Sequence, residues 1–219
     1  MTEEDHTSLD RQGTHGENHW DKRYRDNDDT VLSWSEGTES LSFKWIVGAV
    51  SKTSLVVDIG AGRSLLLPTL LSAGYKHLTH VDWAKSASLS LQNSLGSQSS
   101  NIDWFIGDLM RWQAKTPVDL WHDRAVFHFQ TDDTLIGNYL KSVHQNVEEN
   151  GYILLATFHL DGPETCSGLP VMRYDESSLI ATLQSFDGSN WVALNSTVWT
   201  HTTPAGRDQK FQYVLAQRR

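Results

Sequence analysis

The chain has a single cysteine, Cys166, in 219 residues, so it cannot form an internal disulfide and suits a reducing compartment. Cationic side chains are scarce as well: 18 Lys and Arg face 27 Asp and Glu, for a formal net charge of −9. Non-specific nucleic-acid affinity comes from clustered Lys and Arg, so no nucleic-acid partner is expected. No stretch approaches the roughly 20 apolar residues that span a bilayer, and no apolar signal region stands at the amino terminus. A soluble, cytoplasmic protein with no membrane partner is the expectation. Metal signatures are missing too. The ten histidines give only loose pairs, such as His77 with His80 and His122 with His128, and there is no Cys-x-x-Cys or His-Glu-x-x-His. No bound metal is expected.

What remains is a patterned chain long enough for one full core. Residues 1–18 are polar, acidic and rich in Thr, His and Gly, and are expected as a disordered tail before a single domain over 19–219. Strands are expected near 55–60, 77–82, 102–107, 118–124 and 151–158, with helices between several of them. That alternation builds an α/β, doubly wound, mostly parallel sheet. Among the helices, 65–71 carries Pro68, which must fall near the first turn, and 86–100 holds an amphipathic helix followed by a loop. Another runs from Asp132 to Glu149, where Asn150-Gly151 is the expected stop, and a further one lies near 176–184. Two alternating segments, 191–200 and 211–217, flank Pro204-Ala205-Gly206 and predict a carboxyl-terminal antiparallel hairpin.

The most informative stretch is Asp58-Ile59-Gly60-Ala61-Gly62, directly after Leu55-Val56-Val57. A strand that ends in an acid and two close glycines, then enters a helix, forms a crevice for a nucleotide cofactor. Glycine lets the main chain turn sharply and approach a ligand where a side chain would forbid it. His77-Leu78-Thr79-His80-Val81-Asp82 supplies a second strand ending in a carboxylate at about the spacing of a ribose-binding acid. A dinucleotide fingerprint needs a third glycine three residues after the second, where this chain has Leu65, so a nicotinamide oxidoreductase is disfavoured. Acids at Asp58, Asp82 and Asp108 suit a cationic, phosphate-free nucleoside. The sulfonium of S-adenosylmethionine fits that description.

At these motifs the chain resembles the class I S-adenosylmethionine-dependent methyltransferases, over nearly all of 20–219. Val57-Asp58-Ile59-Gly60-Ala61-Gly62 resembles the first motif, Val81-Asp82-Trp83 the acidic end of the second strand, and Gly107-Asp108-Leu109 the adenine-side loop. Residues 119–124 resemble the fourth motif and 150–156 the turn and strand after it, while 122–129 and 161–171 resemble a subgroup with no secure substrate. The resemblance implies a Rossmann-like methyltransferase fold of seven mostly parallel strands ending in the hairpin, with S-adenosylmethionine as cofactor. At the amino terminus, Trp20-Asp21-Lys22-Arg23-Tyr24 and Trp34 resemble segments that cover the cofactor in some protein-lysine methyltransferases. Trp20, Tyr24 and Trp34 are carried over as cofactor contacts on that basis.

The expected cofactor set is completed by Asp58, Gly60, Gly62, Asp82, Trp83, Asp108 and Leu109. Asp58 and Asp108 also read as caps of their own turns, and Trp83 as ordinary core. In methyl transfer the cofactor carries the reactive group, and the protein supplies orientation and desolvation. A protonated acceptor must also lose its proton, which makes Asp123 and His128, just past a central strand, the candidate catalytic pair. Arg124, Cys166 and Arg173 are the candidate substrate contacts, with structural roles open to each. The expected acceptor is a small polar or thiol-like molecule, and a protein lysine side chain is the alternative. A non-catalytic cofactor-binding interaction module is the reading from another class.

Overall fold

Leu55-Val56-Val57 and Ile153-Leu154-Leu155 are apolar towards both sides of their strands, and only a sheet covered on both faces can bury them. The computed structural model describes residues 16–26, 40–186 and 190–219, and it places both runs in the middle of one seven-stranded sheet. Its amino-terminal half comprises α1 (Gly16–Asp26), α2 (Leu41–Ala49), β1 (Leu55–Ile59), α3 (Leu66–Ser72), β2 (His77–Asp82), α4 (Lys85–Leu95) and β3 (Asp103–Ile106). After it come β4 (Val118–Arg124), α5 (Asp133–Asn146), β5 (Val147–Phe158), β6 (Thr165–Cys166), β7 (Leu169–Pro170), α6 (Glu176–Gln184), β8 (Trp191–Thr202) and β9 (Asp208–Arg218). The sheet order is β3-β2-β1-β4-β5-β9-β8. The strands from β3 to β5 pair in parallel, and β9 runs antiparallel to both β5 and β8. This is the doubly wound sheet with a terminal hairpin that the sequence predicts.

Alternate residues feed two cores. Val56, Leu120, Leu154 and Tyr213 pack with Ile46 of α2 and Leu67 of α3, whereas Val57, Trp121, Leu155 and Val214 pack with Tyr139 of α5 and Leu179 of α6. Asp132 starts α5 by accepting the Leu135 N–H at 2.9 Å, and Asp175 starts α6 by accepting that of Ser178 at 2.8 Å. Among the described residues no helix is long and apolar enough to cross a membrane.

The structure departs from the pattern in several places. α5 stops at Asn146, short of Glu149. The Asn146 side chain closes the helix, accepting from Ala114 N at 2.7 Å and donating to Ser142 O at 2.8 Å, and the buried, β-branched Val147 pairs at once with Val118. Asn150 is no helix stop but takes a left-handed φ of 65° within β5. α1 begins at Gly16, inside the segment expected as a tail. Residues 1–15 and Trp34 lie outside the described residues.

Candidate active site

The loops after β1 and β4 leave adjacent parallel strands in opposite directions, which opens a crevice at the strands' carboxyl ends. Its volume is about 1010 Å³ counting the space open to solvent. The glycine loop forms its floor. Gly60 and Gly62 hold φ of 63° and 52°, and the Gly60 N–H donates to Val81 O at 2.8 Å. A β-carbon on Gly60 would lie 2.1 Å from Val126 Cγ2, and one on Gly62 would lie 2.0 Å from the Tyr24 hydroxyl. Both glycines are therefore required by close approach as well as by backbone conformation.

β2 grips this loop from the next strand. Asp82 Oδ2 accepts the Gly62 N–H at 2.8 Å, and His80 Nε2 donates to the Gly62 carbonyl at 3.0 Å. The other Asp82 oxygen accepts the Ala84 N–H at 2.6 Å. Burial, with the nearby Asp58 adding to it, pushes the Asp82 carboxyl up against the lowering effect of His80 and the two amides. Asp82 nonetheless lines the crevice, so one carboxylate shapes the loop and faces the ligand space. The Asp82 carbonyl accepts from Gly107 N at 2.9 Å, which draws the Asp108 loop alongside. Asp108 caps its own turn through Met110 N at 2.8 Å and also lines the crevice with Leu109 and Trp83.

α1 provides the cover. Trp20 packs edge-on against Phe129 with ring centres 5.1 Å apart, and Tyr24 lies over Gly62 with the Arg63 guanidinium 5.2 Å from its ring centre. Across from them, Ala125 takes a φ of 71°, strained for a residue with a β-carbon. Asp123 holds the chain there by accepting Val126 N at 2.9 Å and Phe127 N at 3.0 Å. This bend turns Val126, Phe129 and Gln130 into the crevice, where Met110, Leu135 and Asn138 join them. Sequence reasoning missed these six, because they leave irregular turns and the start of a helix, where no period tells which way a side chain faces.

Of the expected contacts, Trp20, Tyr24, Gly60, Asp82, Trp83, Asp108, Leu109, Arg124 and Cys166 converge on the crevice. Gly62 serves it indirectly by admitting Tyr24. Asp58 turns away: its Oδ1 accepts from His122 Nδ1 at 2.6 Å, and His122 Nε2 lies 2.8 Å from the Ser42 hydroxyl. All three are buried, so this Ser–His–Asp chain ties α2 to the sheet and does not meet the crevice. Asp123 and His128 are also sealed, both at 0% exposure. Asp123 spends its oxygens on the two amides and on the Tyr139 hydroxyl at 2.5 Å, and His128 Nδ1 accepts a long bond from Phe158 N at 3.4 Å. Neither expected catalytic side chain lines the crevice.

Arg124 is held in the wall by its Nε–H bond to the Tyr213 hydroxyl at 3.0 Å and by the Phe211 ring 4.5 Å beneath it. Cys166 comes from the small β6–β7 hairpin, whose Ser167-Gly168 turn has both φ positive, as such two-residue turns require. Burial pushes its thiol up to about 11, so it stays protonated at neutral pH. Arg173 is diverted to the loop backbone, donating to Leu160 O at 2.9 Å and pairing with Glu164 at 3.2 Å. Among the described residues no three His, Cys, Asp or Glu side chains are arranged to hold a metal.

Burial moves the two sealed groups in opposite directions. The Asp123 carboxyl rises from 3.8 to about 6, because desolvation outweighs its hydrogen bonds, and the His128 imidazole falls from 6.5 to about 3 through desolvation and then Arg124. Asp123 therefore contributes stability that is present below pH 3.8 and is lost as pH rises through about 6. His128 contributes stability that is present above pH 6.5 and is lost as pH falls towards about 3. In urea titrations between pH 4 and 7, Asp123→Asn should steepen the acid loss of stability and His128→Gln should flatten it, each by on the order of 2 kcal/mol. Parallel profiles for both variants and the wild type would contradict these assignments.

No protein-family model and no curated protein matches this chain in sequence. Solved structures match it in fold. A 1,6-didemethyltoxoflavin-N1-methyltransferase from Burkholderia thailandensis, with 1,6-didemethyltoxoflavin and S-adenosylhomocysteine bound, superposes at TM-score 0.69 and 17% identity, over 92% of this chain and 84% of its own. The fold is that of the Rossmann-like methyltransferases. A magnesium protoporphyrin IX methyltransferase from Synechocystis, with S-adenosylmethionine bound, gives 0.61 and 15% over 81% of this chain and 76% of its own. Phosphoethanolamine N-methyltransferase 1 of Haemonchus contortus, with phosphoethanolamine and S-adenosylhomocysteine bound, gives 0.65 and 19% over 92% of this chain and 48% of its own, so this chain spans about half of that protein.

Proposed function

We propose that this protein is an S-adenosylmethionine-dependent methyltransferase acting on a small polar or thiol-like acceptor. The observation that carries this reading is the glycine floor gripped by Asp82, in a fold shared with methyltransferases that bind that cofactor or its product. The residues fit the cofactor. Asp82 brings a carboxylate with acceptor capacity for ribose hydroxyls to the crevice, Trp83 and Leu109 offer faces for a base, and the bare Gly60 lets the main chain line the crevice without crowding Val126 on the facing wall. When bound, the cofactor supplies a methyl group on a sulfonium.

On the acceptor side, Val126, Phe129 and Leu135 give an apolar wall with Gln130, Asn138 and Arg124 as polar points, which suits a compact molecule with a few hydrogen-bonding atoms. Catalysis then rests on orientation and exclusion of water, while Asp123 acts by holding the Ala125 bend. Supplying labelled S-adenosylmethionine with a panel of thiols, amines and small acids tests the reading. Label should pass to at least one acceptor and, at limiting cofactor, should pass about a hundredfold more slowly in Gly60→Ala. A protein that binds the cofactor and transfers to none of these, nor to a lysine peptide, would be the interaction module.

A further inference from the structure

α4 begins with Ala84 at its cap position, and Ala84 has no side-chain oxygen to take up the amides of the first turn. That acceptor comes from a different helix. Asp21 Oδ1 of α1 accepts the Ser86 N–H at 2.7 Å, and the Ser86 hydroxyl donates back to the Asp21 carbonyl at 3.1 Å. Arg25, one turn further along α1, holds the other Asp21 oxygen at 2.9 Å. Burial pushes the Asp21 carboxyl up, but the Ser86 bonds and the charges of Arg25 and Lys85 outweigh it and leave the group below its usual range. The resulting negative charge sits at the positive end of the α4 dipole.

α1 spans 11 residues, too short to hold a helix without docking. Its apolar contact is also with the start of α4, where Tyr24 packs on Ala84 and Ala87 with Trp20 beside them. Trp20 and Tyr24 flank Asp21 in sequence and line the crevice. Beside the packing of Trp20 on Phe129, the Asp21–Ser86 pair is thus a directional polar contact between the cover and the sheet's helix layer.

We propose that Asp21 is a positioning residue, which through Ser86 seats α1 on α4 so that Trp20 and Tyr24 close over the bound cofactor and slow its release. The inference rests on the methyltransferase reading for the identity of that ligand. It is tested on the full chain by titrating wild type, Asp21→Ala and Asp21→Asn with S-adenosylhomocysteine, and by amide hydrogen exchange on the same proteins without ligand. Asp21→Ala should raise Kd about tenfold, the scale of a lost helix cap, and speed exchange at Ser86 and through 16–26. Asp21→Asn keeps an acceptor oxygen and should restore affinity to within about threefold of wild type. Wild-type affinity in Asp21→Ala, or equal losses in both variants, would overturn the positioning role. If the wild type binds no S-adenosylhomocysteine, the cofactor reading fails on its own, and unchanged exchange in α1 would then overturn the seating of the helix as well.

Discussion

Gly60→Ala should weaken S-adenosylhomocysteine binding by on the order of 3 kcal/mol, about a hundredfold, while leaving the protein folded. Two effects combine. The left-handed backbone costs an L-residue about 1–2 kcal/mol, and the new methyl would stand 2.1 Å from Val126 Cγ2, so either the loop or the opposite crevice wall must give way. At Gly62 the same strain applies, but the added methyl meets the Tyr24 hydroxyl, the far end of a side chain on α1, which can swing aside. The loss there should be nearer tenfold and accompanied by faster hydrogen exchange in α1. Gly96→Ala is the control. It sits at φ 55° with open space around it, so it should cost stability without moving affinity. Equal affinity losses at all three glycines would mean that general destabilisation, not the cradle, is being measured.

Asp82→Ala should have an effect of similar size. It removes the acceptor for Gly62 N and Ala84 N together with the one carboxylate that both grips the glycine loop and faces the crevice. Leaving two buried amides without a partner costs about 1–3 kcal/mol each before any ligand contact is counted, although the loop can relax to hydrate them. A loss of about a hundredfold in affinity is expected, with Asp82→Asn intermediate because its amide keeps one acceptor oxygen but turns a donor towards the other N–H. Calorimetry, with circular dichroism to establish folding, measures both. Undiminished affinity in folded Asp82→Ala would remove Asp82 from the site.

The features that were legible in the sequence are those where chemistry and spacing speak together. Gly60, Asp82 and Trp83 stand at strand ends that the apolar runs mark, and the parallel sheet that such runs demand brings them to one crevice. Asp58 carries the same spacing signal yet points the other way. Strand alternation puts it on the face of Val56, towards α2, and what the sequence does not show is that His122 and Ser42, in bonds spanning 64 and 80 residues, occupy it there. Asp123 and His128 read as reactive because polar groups at a strand end often are. Their burial depends on contacts with Tyr139 and Phe158 and on the bend at Ala125; periodicity puts Tyr139 on a helix and Phe158 on a strand but does not bring them to these two groups. Aromatics among polar residues mark the Trp20–Tyr24 segment as a packed lid or ligand wall, but its contact with the cofactor is read only by resemblance, since a short helix supported from outside has no signature of its own. The early end of α5 has a similar origin: 147–149 read as helix until the pairing of Val147 with Val118 overrides local propensity.

Whether this crevice takes S-adenosylmethionine is decided most directly by calorimetric titration of the wild-type protein with S-adenosylhomocysteine, alongside an identical titration with NADH. One-to-one binding of S-adenosylhomocysteine without detectable binding of NADH is the predicted result. Binding of NADH alone, or of neither ligand by the folded protein, would contradict it.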